Sequence, residues 1–187
     1  MKTKKLLSIL LIAVTTTAYS QMNFDLKKGG ITWTGSEITT KAHTGSLKFS
    51  SASLSLDDIN KPRGVFTVDM TSLTNEDMTG DYKNKLEGHL KSDDFFSVDK
   101  HPKAVLIITK VNSQKKNSYG LTGDLTIKGI THPVDFNLTV YNDRVESNLT
   151  FDRSKYDVQF RSGSFFENLG DKLILDDITL EITLQKI

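Results

Sequence analysis

Two stretches of alternating apolar and polar residues stand out in the second half of the chain. Residues 121–128 carry leucine, isoleucine or glycine at odd positions, and residues 134–140 carry apolar residues at even positions. Successive side chains of a β-strand point to opposite faces, so this pattern predicts two antiparallel strands with one apolar face. The segment 129–133 is predicted to connect them. Such a sheet, once closed, has an apolar interior that either packs on itself or holds a ligand.

The same alternation continues along most of the chain. Its apolar phase changes near residues 50–53 and at Asp176 and Asp177, which predicts a β-bulge at each place. Residues 104–111 are largely apolar on both faces, and we expect the preceding helix to cover the second face. The further strand-like segments are residues 31–40, 44–56, 64–71, 104–111, 145–151 and 173–184.

A change of period predicts a short helix between the strands. Tyr82, Leu86 and Leu90 recur every four residues among charged neighbours, a spacing typical of an amphipathic helix. Residues 92–94 either end this helix or cap a second turn that presents Phe95 and Phe96. The chain therefore contains one or two short helices.

About eight strands with one or two short helices predict an all-β fold, an extended eight-stranded antiparallel β-barrel. We find no linker, fixed-period repeat or low-complexity tract, so one domain is expected. A strand of ten residues is about 33 Å long. Eight long strands enclose an elongated space that side chains fill or that holds one small ligand.

The N-terminus has the features of a secretory signal peptide. Lysines at positions 2, 4 and 5 precede the apolar run 6–14, which is shorter than the ~20 residues of a membrane-spanning helix. We predict cleavage before Gln21, so that residues 1–20 are the signal peptide and residues 21–187 the mature domain. The mature chain is then periplasmic or secreted, without a membrane-spanning segment.

Charge and cysteine content narrow the partners. The chain has 24 basic and 23 acidic residues, and removal of residues 1–20 leaves 21 and 23, a net charge of −2. This balance favours neither nucleic acid nor an anionic membrane as a partner. Without any cysteine, the fold has no disulfide, thiolate metal site or cysteine nucleophile.

The polar residues that attract notice have structural interpretations. The four histidines, at positions 43, 89, 101 and 132, show no metal-ligand spacing. We interpret Asp93 and Asp94 as a helix-cap motif and the second aspartate pair as the mark of a bulge. Arg153 either contacts a ligand head group or ties loop carbonyls together, and we favour the second. No catalytic residue, metal or cofactor is predicted, so the protein is expected not to be an enzyme.

Four segments occur in a characteristic order. They are residues 90–102 (LKSDDFFSVDKHP), 123–134 (GDLTIKGITHPV), 153–158 (RSKYDV) and 169–171 (LGD) followed by the last strand. Taken together, they resemble the YceI-like family of exported lipid-binding proteins. Asp157 departs from the small residue that the family usually has, and the middle of residues 152–170 is divergent.

The resemblance implies an extended, lipocalin-like antiparallel β-barrel that binds a long apolar chain, such as a polyisoprenoid or a quinone tail, inside the barrel. The expected function is non-enzymatic binding, storage or transport of such a lipid. A fatty acid or amide as ligand, an enzyme acting on the lipid, and a barrel with a filled core are the alternatives. A homodimer stays open.

Apolar residues on the inward face of the predicted strands are the candidates to line the cavity, with ordinary core packing as the alternative for each. Two phenylalanine pairs outside the strands either line the cavity mouth or plug the barrel end. The candidate lining residues are Phe49, Phe66, Val68, Leu106, Ile108, Leu125, Ile127, Phe136, Leu138, Phe151, Leu180 and Ile182, and the candidate mouth residues are Phe95, Phe96, Phe165 and Phe166.

Overall fold

The computed structural model describes residues 20–39, 41–56 and 61–187. All of the predicted signal peptide except its last residue lies outside these ranges. In chain order the described elements are β1 (Ser20–Met22), β2 (Phe24–Glu37), β3 (Ala42–Leu56), β4 (Pro62–Asn75), α1 (Gly80–Lys91), β5 (Lys103–Lys115), β6 (Ser118–Ile127), β7 (Ile130–Val140), β8 (Arg144–Asp152), two short 3₁₀ helices (Arg153–Tyr156 and Gly170–Lys172) and β9 (Ile174–Lys186).

The strands form a closed barrel. The sheet runs in the order β1-β3-β2-β9-β8-β7-β6-β5-β4, and an additional pairing between β3 and β4 closes the ring of β2 to β9. Every pairing of named strands is antiparallel. β1 adds to the end of β3, where Ser20 pairs with Leu56. The predicted eight-stranded antiparallel barrel is confirmed, with one extra short strand.

The alternating stretches form the hairpin of β6 and β7. Leu121 pairs with Phe136, and the register continues without a shift to Ile127 opposite Ile130. The connection is therefore shorter than predicted. Lys128 and Gly129 alone make the turn, both with positive φ, 51° and 76°, as a two-residue hairpin loop requires.

Pro133 lies within β7 and not in the turn, which corrects the predicted connection 129–133. It is paired with Asp124 on one side, whereas the pairing of β7 with β8 begins only at Phe136. Proline lacks a backbone N–H, so a strand accepts it where one edge has no partner strand. The open edge of this half of β7 explains the proline.

Both predicted bulges correspond to register shifts, but one of the phase changes does not occur. β3 shifts against β4 between Phe49 and Ser51. β9 shifts against β2 near Ile174 but pairs continuously with β8. Its even positions face inward throughout, including Asp176. The phase change predicted at Asp176 and Asp177 would place Leu175 on the inner face, and this prediction is wrong. Leu175 is 40% exposed, and Asp176 takes the inward position as the partner of the buried Arg153.

The predicted helix is confirmed as α1, and it covers a different strand from the one expected. Leu86 and Leu90 pack against the core, and Tyr82 is exposed. α1 packs on β4. The outer face of β5 stays in solvent, since Ile107 and its neighbour Val65 on β4 are each 44% exposed. The second apolar face of residues 104–111 is therefore not covered by the helix.

Arg153 is completely buried and anchors the loop 157–173 to the barrel. Its guanidinium donates hydrogen bonds to the carbonyls of Val158, Ile174 and Leu175, over 2.9 to 3.2 Å. Asp176 Oδ1 lies 3.2 Å from Nη2. Burial lowers the pKa of Arg153, and the charge of Asp176 opposes this. The interpretation of Arg153 as a tie between loop carbonyls is confirmed.

Candidate ligand-binding cavity

A cavity of about 230 Å³ lies inside one end of the barrel. We call this end the mouth end, and it carries α1, the turn 92–98 and the loop 157–173. Strands β2, β3, β4, β5, β6, β8 and β9 contribute side chains to the walls, while α1, the turn and the loop form the roof. We call this space the outer cavity.

A second cavity of about 60 Å³, the inner cavity, lies deeper along the barrel. The two cavities share five of their lining residues, so a single layer of side chains separates them. These shared residues are Ile31, Val68, Ala104, Leu125 and Leu180. The two cavities together therefore follow the barrel axis, with a constriction at this layer.

The opposite end of the barrel is filled, and we call it the sealed end. Phe24, Leu54, Tyr119, Val145 and Leu184 are buried there, with exposed fractions between 0% and 9%. Burial raises the pKa of the Tyr119 hydroxyl. None of these five residues lines the outer cavity, and only Val145 and Leu184 reach the inner one. The cavities therefore end blindly in the barrel.

Eleven of the twelve candidate lining residues border one or both cavities. The outer cavity is lined by Val68, Leu125, Ile127, Phe151 and Leu180 from this set. The inner cavity is lined by Phe49, Phe66, Val68, Leu106, Leu125, Phe136, Leu138, Leu180 and Ile182. Whether a ligand contacts them stays a prediction.

Ile108 and the second phenylalanine pair lie elsewhere. A register shift follows Ile108 in β5, and this residue borders a groove on the outside of the barrel between β4 and β5. Phe165 and Phe166 are 45% and 48% exposed, and neither lines the cavity. Phe95 and Phe96 do line the outer cavity, on the side of its roof.

Aromatic rings pack around His89 in the roof. The ring of His89 lies edge-on to Phe160 at 4.4 Å and to Phe95 at 5.1 Å between centroids. Phe95 in turn contacts Phe96 and Phe160, at 6.0 and 5.7 Å. The guanidinium of Arg153 lies 5.5 Å from the centre of the Phe95 ring. This cluster links the loop to the helix above the cavity.

The sequence prediction missed several lining residues. Trp33 and Leu47 alternate inward on predicted strands, and Leu86 and Leu90 form the apolar stripe of the helix, so periodicity alone could have included them. Phe160 comes from the irregular loop, where no period exists to assign a face. Trp33 is held in place because its indole N–H donates to the Thr74 carbonyl over 3.0 Å.

His43 is the lining residue with the most defined polar environment. Its Nδ1 lies 2.8 Å from Oδ2 of Asp77. The other carboxylate oxygen of Asp77 accepts hydrogen bonds from the Thr44 amide and the Asn75 side chain. Burial acts to raise the pKa of Asp77, but these hydrogen bonds outweigh it and hold the pKa below its ordinary value. The carboxylate is therefore ionised at neutral pH and orients the imidazole.

Among the residues that the structure describes, no group of three histidine, aspartate or glutamate side chains is placed to hold a metal ion. No helix in the described ranges has the length and apolar character to cross a membrane. What the barrel interior offers is an apolar surface with polar side chains at one rim.

Antiparallel barrels of eight strands are either filled by side chains or hold one small ligand, and this barrel has an apolar interior cavity. A model of the YceI-like domain matches residues 17–186, so the chain belongs to the YceI-like family.

Curated relatives match over part of their length. A UPF0312 protein of Vibrio campbellii is 28% identical over 117 residues, which is 63% of this chain. The chain spans 55% of the length of this relative, and 27% of the length of a second, from Pseudomonas putida.

Solved structures share the fold over nearly their whole length. BcnA of Burkholderia cenocepacia is 20% identical, with a TM-score of 0.71, and the match covers 87% of this chain and 99% of BcnA. A polyisoprenoid binding domain from Saccharophagus degradans, implicated in plant cell wall breakdown, is 13% identical, with a TM-score of 0.60 and coverage of 91% and 98%. At these identities the likeness establishes the fold.

Proposed function

We propose that the protein binds a long apolar chain of isoprenoid type, a polyprenyl or quinone tail, without covalent attachment. The chain lies in the outer and inner cavities, and the protein stores or carries it outside the cytoplasm. In this proposal the protein does not convert the lipid, which is released chemically unchanged.

The observation that carries the proposal is a blind cavity whose polar side chains are confined to the mouth end. In the inner cavity the polar lining side chain is Ser147, and its hydroxyl donates to the Asn137 carbonyl over 2.7 Å. The inner walls therefore offer no free polar group to a ligand. A barrel with a filled core, one of the alternatives, would have no such space.

The energetics favour an apolar chain. Burial of each CH₂ group stabilises the complex by about 0.8 kcal/mol, and large ligands retain about 0.3 kcal/mol per heavy atom after ordering costs. The outer cavity, at about 230 Å³, is below the ~300–1,000 Å³ of common ligand sites. A chain of several isoprene units must therefore open the constriction at Ala104 and reach the inner cavity.

The comparisons support the ligand class. The structural neighbour from Saccharophagus degradans is described as polyisoprenoid binding, and that property belongs to that protein. For this chain it makes an isoprenoid the first ligand to test. The signal peptide predicted at residues 1–20 supports placement in the periplasm or outside the cell, and a mature protein that begins at Gln21 in its native host is the expected result.

Native mass spectrometry of freshly purified protein tests the proposal. We expect a co-purifying apolar molecule, or uptake of a prenyl lipid on titration, with the same mass before and after release. Repeated absence of both outcomes contradicts the proposal. A fatty acid or amide in the extract supports the other amphiphile instead, and a chemically altered lipid supports an enzyme.

A matched pair of variants locates the binding. Leu47 lines the outer cavity and Lys48 is exposed on the same strand. Leu47→Trp is expected to fill the cavity and abolish uptake, whereas Lys48→Trp adds the same side chain outside and leaves uptake unchanged. Equal uptake by both variants, with both folded by circular dichroism, means that the ligand does not lie in the outer cavity.

A further inference from the structure

Polarity is distributed unevenly along the cavities. The polar side chains of Ser36, Glu37, His43, His89 and Arg161 line the outer cavity, and all five come from segments at the mouth end. The inner cavity has only the hydroxyl of Ser147, which is already bonded to a backbone carbonyl. A ligand with one polar end would therefore place that end at the mouth and its apolar chain inward.

His43 differs from the other four polar residues, because its ring is oriented by a hydrogen bond and still has a nitrogen without a partner among the described residues. Its Nδ1 is bonded to Asp77, and its side chain is 18% exposed. In the part of the chain that the structure describes, its Nε2 makes no hydrogen bond. A fixed imidazole with one unused nitrogen on a cavity wall is a ready hydrogen-bonding partner for a ligand.

The other polar residues at the rim are less suited to this role. The ring of His89 packs edge-on against Phe95 and Phe160, and its Nε2 lies 3.7 Å from Oδ2 of Asp94. The guanidinium of Arg161 lies over the Phe160 ring at 5.1 Å. The indole N–H of Trp33 is used by the Thr74 carbonyl. The carboxylate of Glu37 and the hydroxyl of Ser36 have no hydrogen bond within the described residues that would orient them.

The chemistry of the His43–Asp77 pair selects the kind of polar group. Because the Asp77 carboxylate is ionised, it accepts the Nδ1 proton, and the neutral imidazole then presents Nε2 as an acceptor. A protonated imidazole presents Nε2–H as a donor. A hydroxyl group pairs with either form, whereas an ether or carbonyl oxygen pairs only with the protonated one.

We propose that His43 Nε2 binds a hydroxyl group at the end of the apolar chain, so that the ligand class is a prenyl alcohol or a prenylated phenol. Asp77 acts as the positioning residue that sets the imidazole. This inference rests on the proposed function, since it specifies the end of the ligand held at the mouth.

The experiment compares two ligands with the same prenyl chain of about twenty carbons, which is long enough to need both cavities. One ligand is the alcohol, and the other is its methyl ether. We expect the wild type to bind the alcohol about five- to tenfold more tightly than the ether, as one added hydrogen bond allows. In His43→Phe, which keeps an aromatic ring, this preference disappears while the ether binds as before.

A spectroscopic measurement on the wild type does not depend on the folding of any variant. The ¹⁵N chemical shift of His43 Nε2 is expected to move when the alcohol is added and to stay unchanged with the ether. Asp77→Asn, which loosens the imidazole, is expected to reduce the preference without removing it.

The outcomes separate this inference from the proposed function. Equal binding of alcohol and ether by the wild type overturns the role of His43 and leaves the lipid-binding proposal supported. A preference that persists in folded His43→Phe also overturns it. If the wild type binds neither ligand, both proposals fail.

Discussion

The two ends of the barrel are formed by the same strands but differ in what fills them. At the sealed end, side chains such as Leu54 and Leu184 are buried to within 1% of complete burial and leave no space. At the mouth end, a helix, a turn and a loop cover a cavity of about 230 Å³. The sealed end has the packing of an ordinary protein core, whereas the mouth end encloses the outer cavity.

The backbone shows the same difference. Among the described residues with positive φ, Lys116 lies at the sealed end, and the others, from Gly80 to Gly170, lie on segments of the mouth end. Left-handed conformations of non-glycine residues such as Asp157 and Arg161 carry a cost, and such residues gather at ligand sites. Strained backbone conformations are therefore concentrated at the mouth end, where the outer cavity lies.

The largest expected difference in unfolding free energy is between two arginine variants, one at each end of the barrel. Arg153→Met removes the ion-pair partner of Asp176 and the hydrogen bonds to three carbonyls at a completely buried position, and we expect a loss of about 3–5 kcal/mol in the free energy of unfolding. Arg144→Met at the sealed end removes ion pairs with Asp143 and Glu146 that are exposed to solvent, and we expect a much smaller loss, because water screens exposed ion pairs. Urea denaturation measures the loss for each variant. Similar losses for the two variants would contradict the difference expected between the buried and the exposed arginine.

Two leucines on β3 compare packed and unpacked surroundings. Leu54 is 0% exposed at the sealed end, and Leu47 lines the outer cavity. We expect Leu54→Ala to cost about 3–5 kcal/mol of unfolding free energy, within the range for buried leucines. Leu47→Ala is expected to cost about 1–2 kcal/mol less, because its side chain already borders empty space. Equal losses in thermal or urea unfolding would show that the cavity wall is packed as tightly as the core.

Each end also buries a tyrosine, and their ionisation gives a test at alkaline pH. Burial, and secondarily the charge of Asp152, raises the pKa of Tyr156 to about 12, and its hydroxyl has no hydrogen-bond partner among the described residues. Burial also raises the pKa of Tyr119. The unfolded pKa of tyrosine is about 10. The contribution of Tyr156 to stability is therefore complete below pH ~10 and is lost as the pH rises towards 12, by about 2–3 kcal/mol.

Tyr156→Phe should flatten this alkaline decline in unfolding free energy, and Tyr119→Phe should flatten it less. The unfolding free energy of each variant, measured by urea titration at several values between pH 9 and pH 12, is the check. If the unfolding free energy of Tyr156→Phe declines as steeply as that of the wild type, the decline does not come from Tyr156.

The smallest expected effect concerns the constriction between the cavities. Ala104→Phe should block the inner cavity, so that a twenty-carbon prenyl chain binds about tenfold more weakly, or ~1.4 kcal/mol, while a ten-carbon chain keeps its affinity. Ile107→Phe changes the exposed face of the same strand and should change neither. Fluorescence titrations of both chain lengths measure this, and equal weakening for both lengths in folded Ala104→Phe would mean that the inner cavity holds no ligand.

Local patterns predicted the parts of the fold that have a regular period. The alternation of residues 121–128 predicted β6 with its inward face, and the spacing of Leu86 and Leu90 predicted α1. Strand β5 shows the limit. Since residues 104–111 are largely apolar on both faces, the pattern could not tell Leu106, on the inner wall, from Ile108, which precedes a register shift and borders an outer groove.

The mouth could be predicted only in part. Phe95 and Phe96 lie in the roof, but the equally apolar pair at 165 and 166 points into solvent. The contacts of this loop, such as the hydrogen bonds that Ser162 and Ser164 donate to Asp176, join residues 14 and 12 positions apart. No periodicity records such pairings.

The sequence by itself determined the antiparallel strands of the barrel and most of the inward positions, because strand alternation is a local property of the chain. The tertiary structure decided where the interior is empty and which polar groups face it. Packing depends on how side chains from distant strands meet, as at Ala104 between the two cavities. The hydrogen bond from His43 to Asp77 likewise joins residues 34 positions apart, a contact that exists only once β3 and β4 have paired.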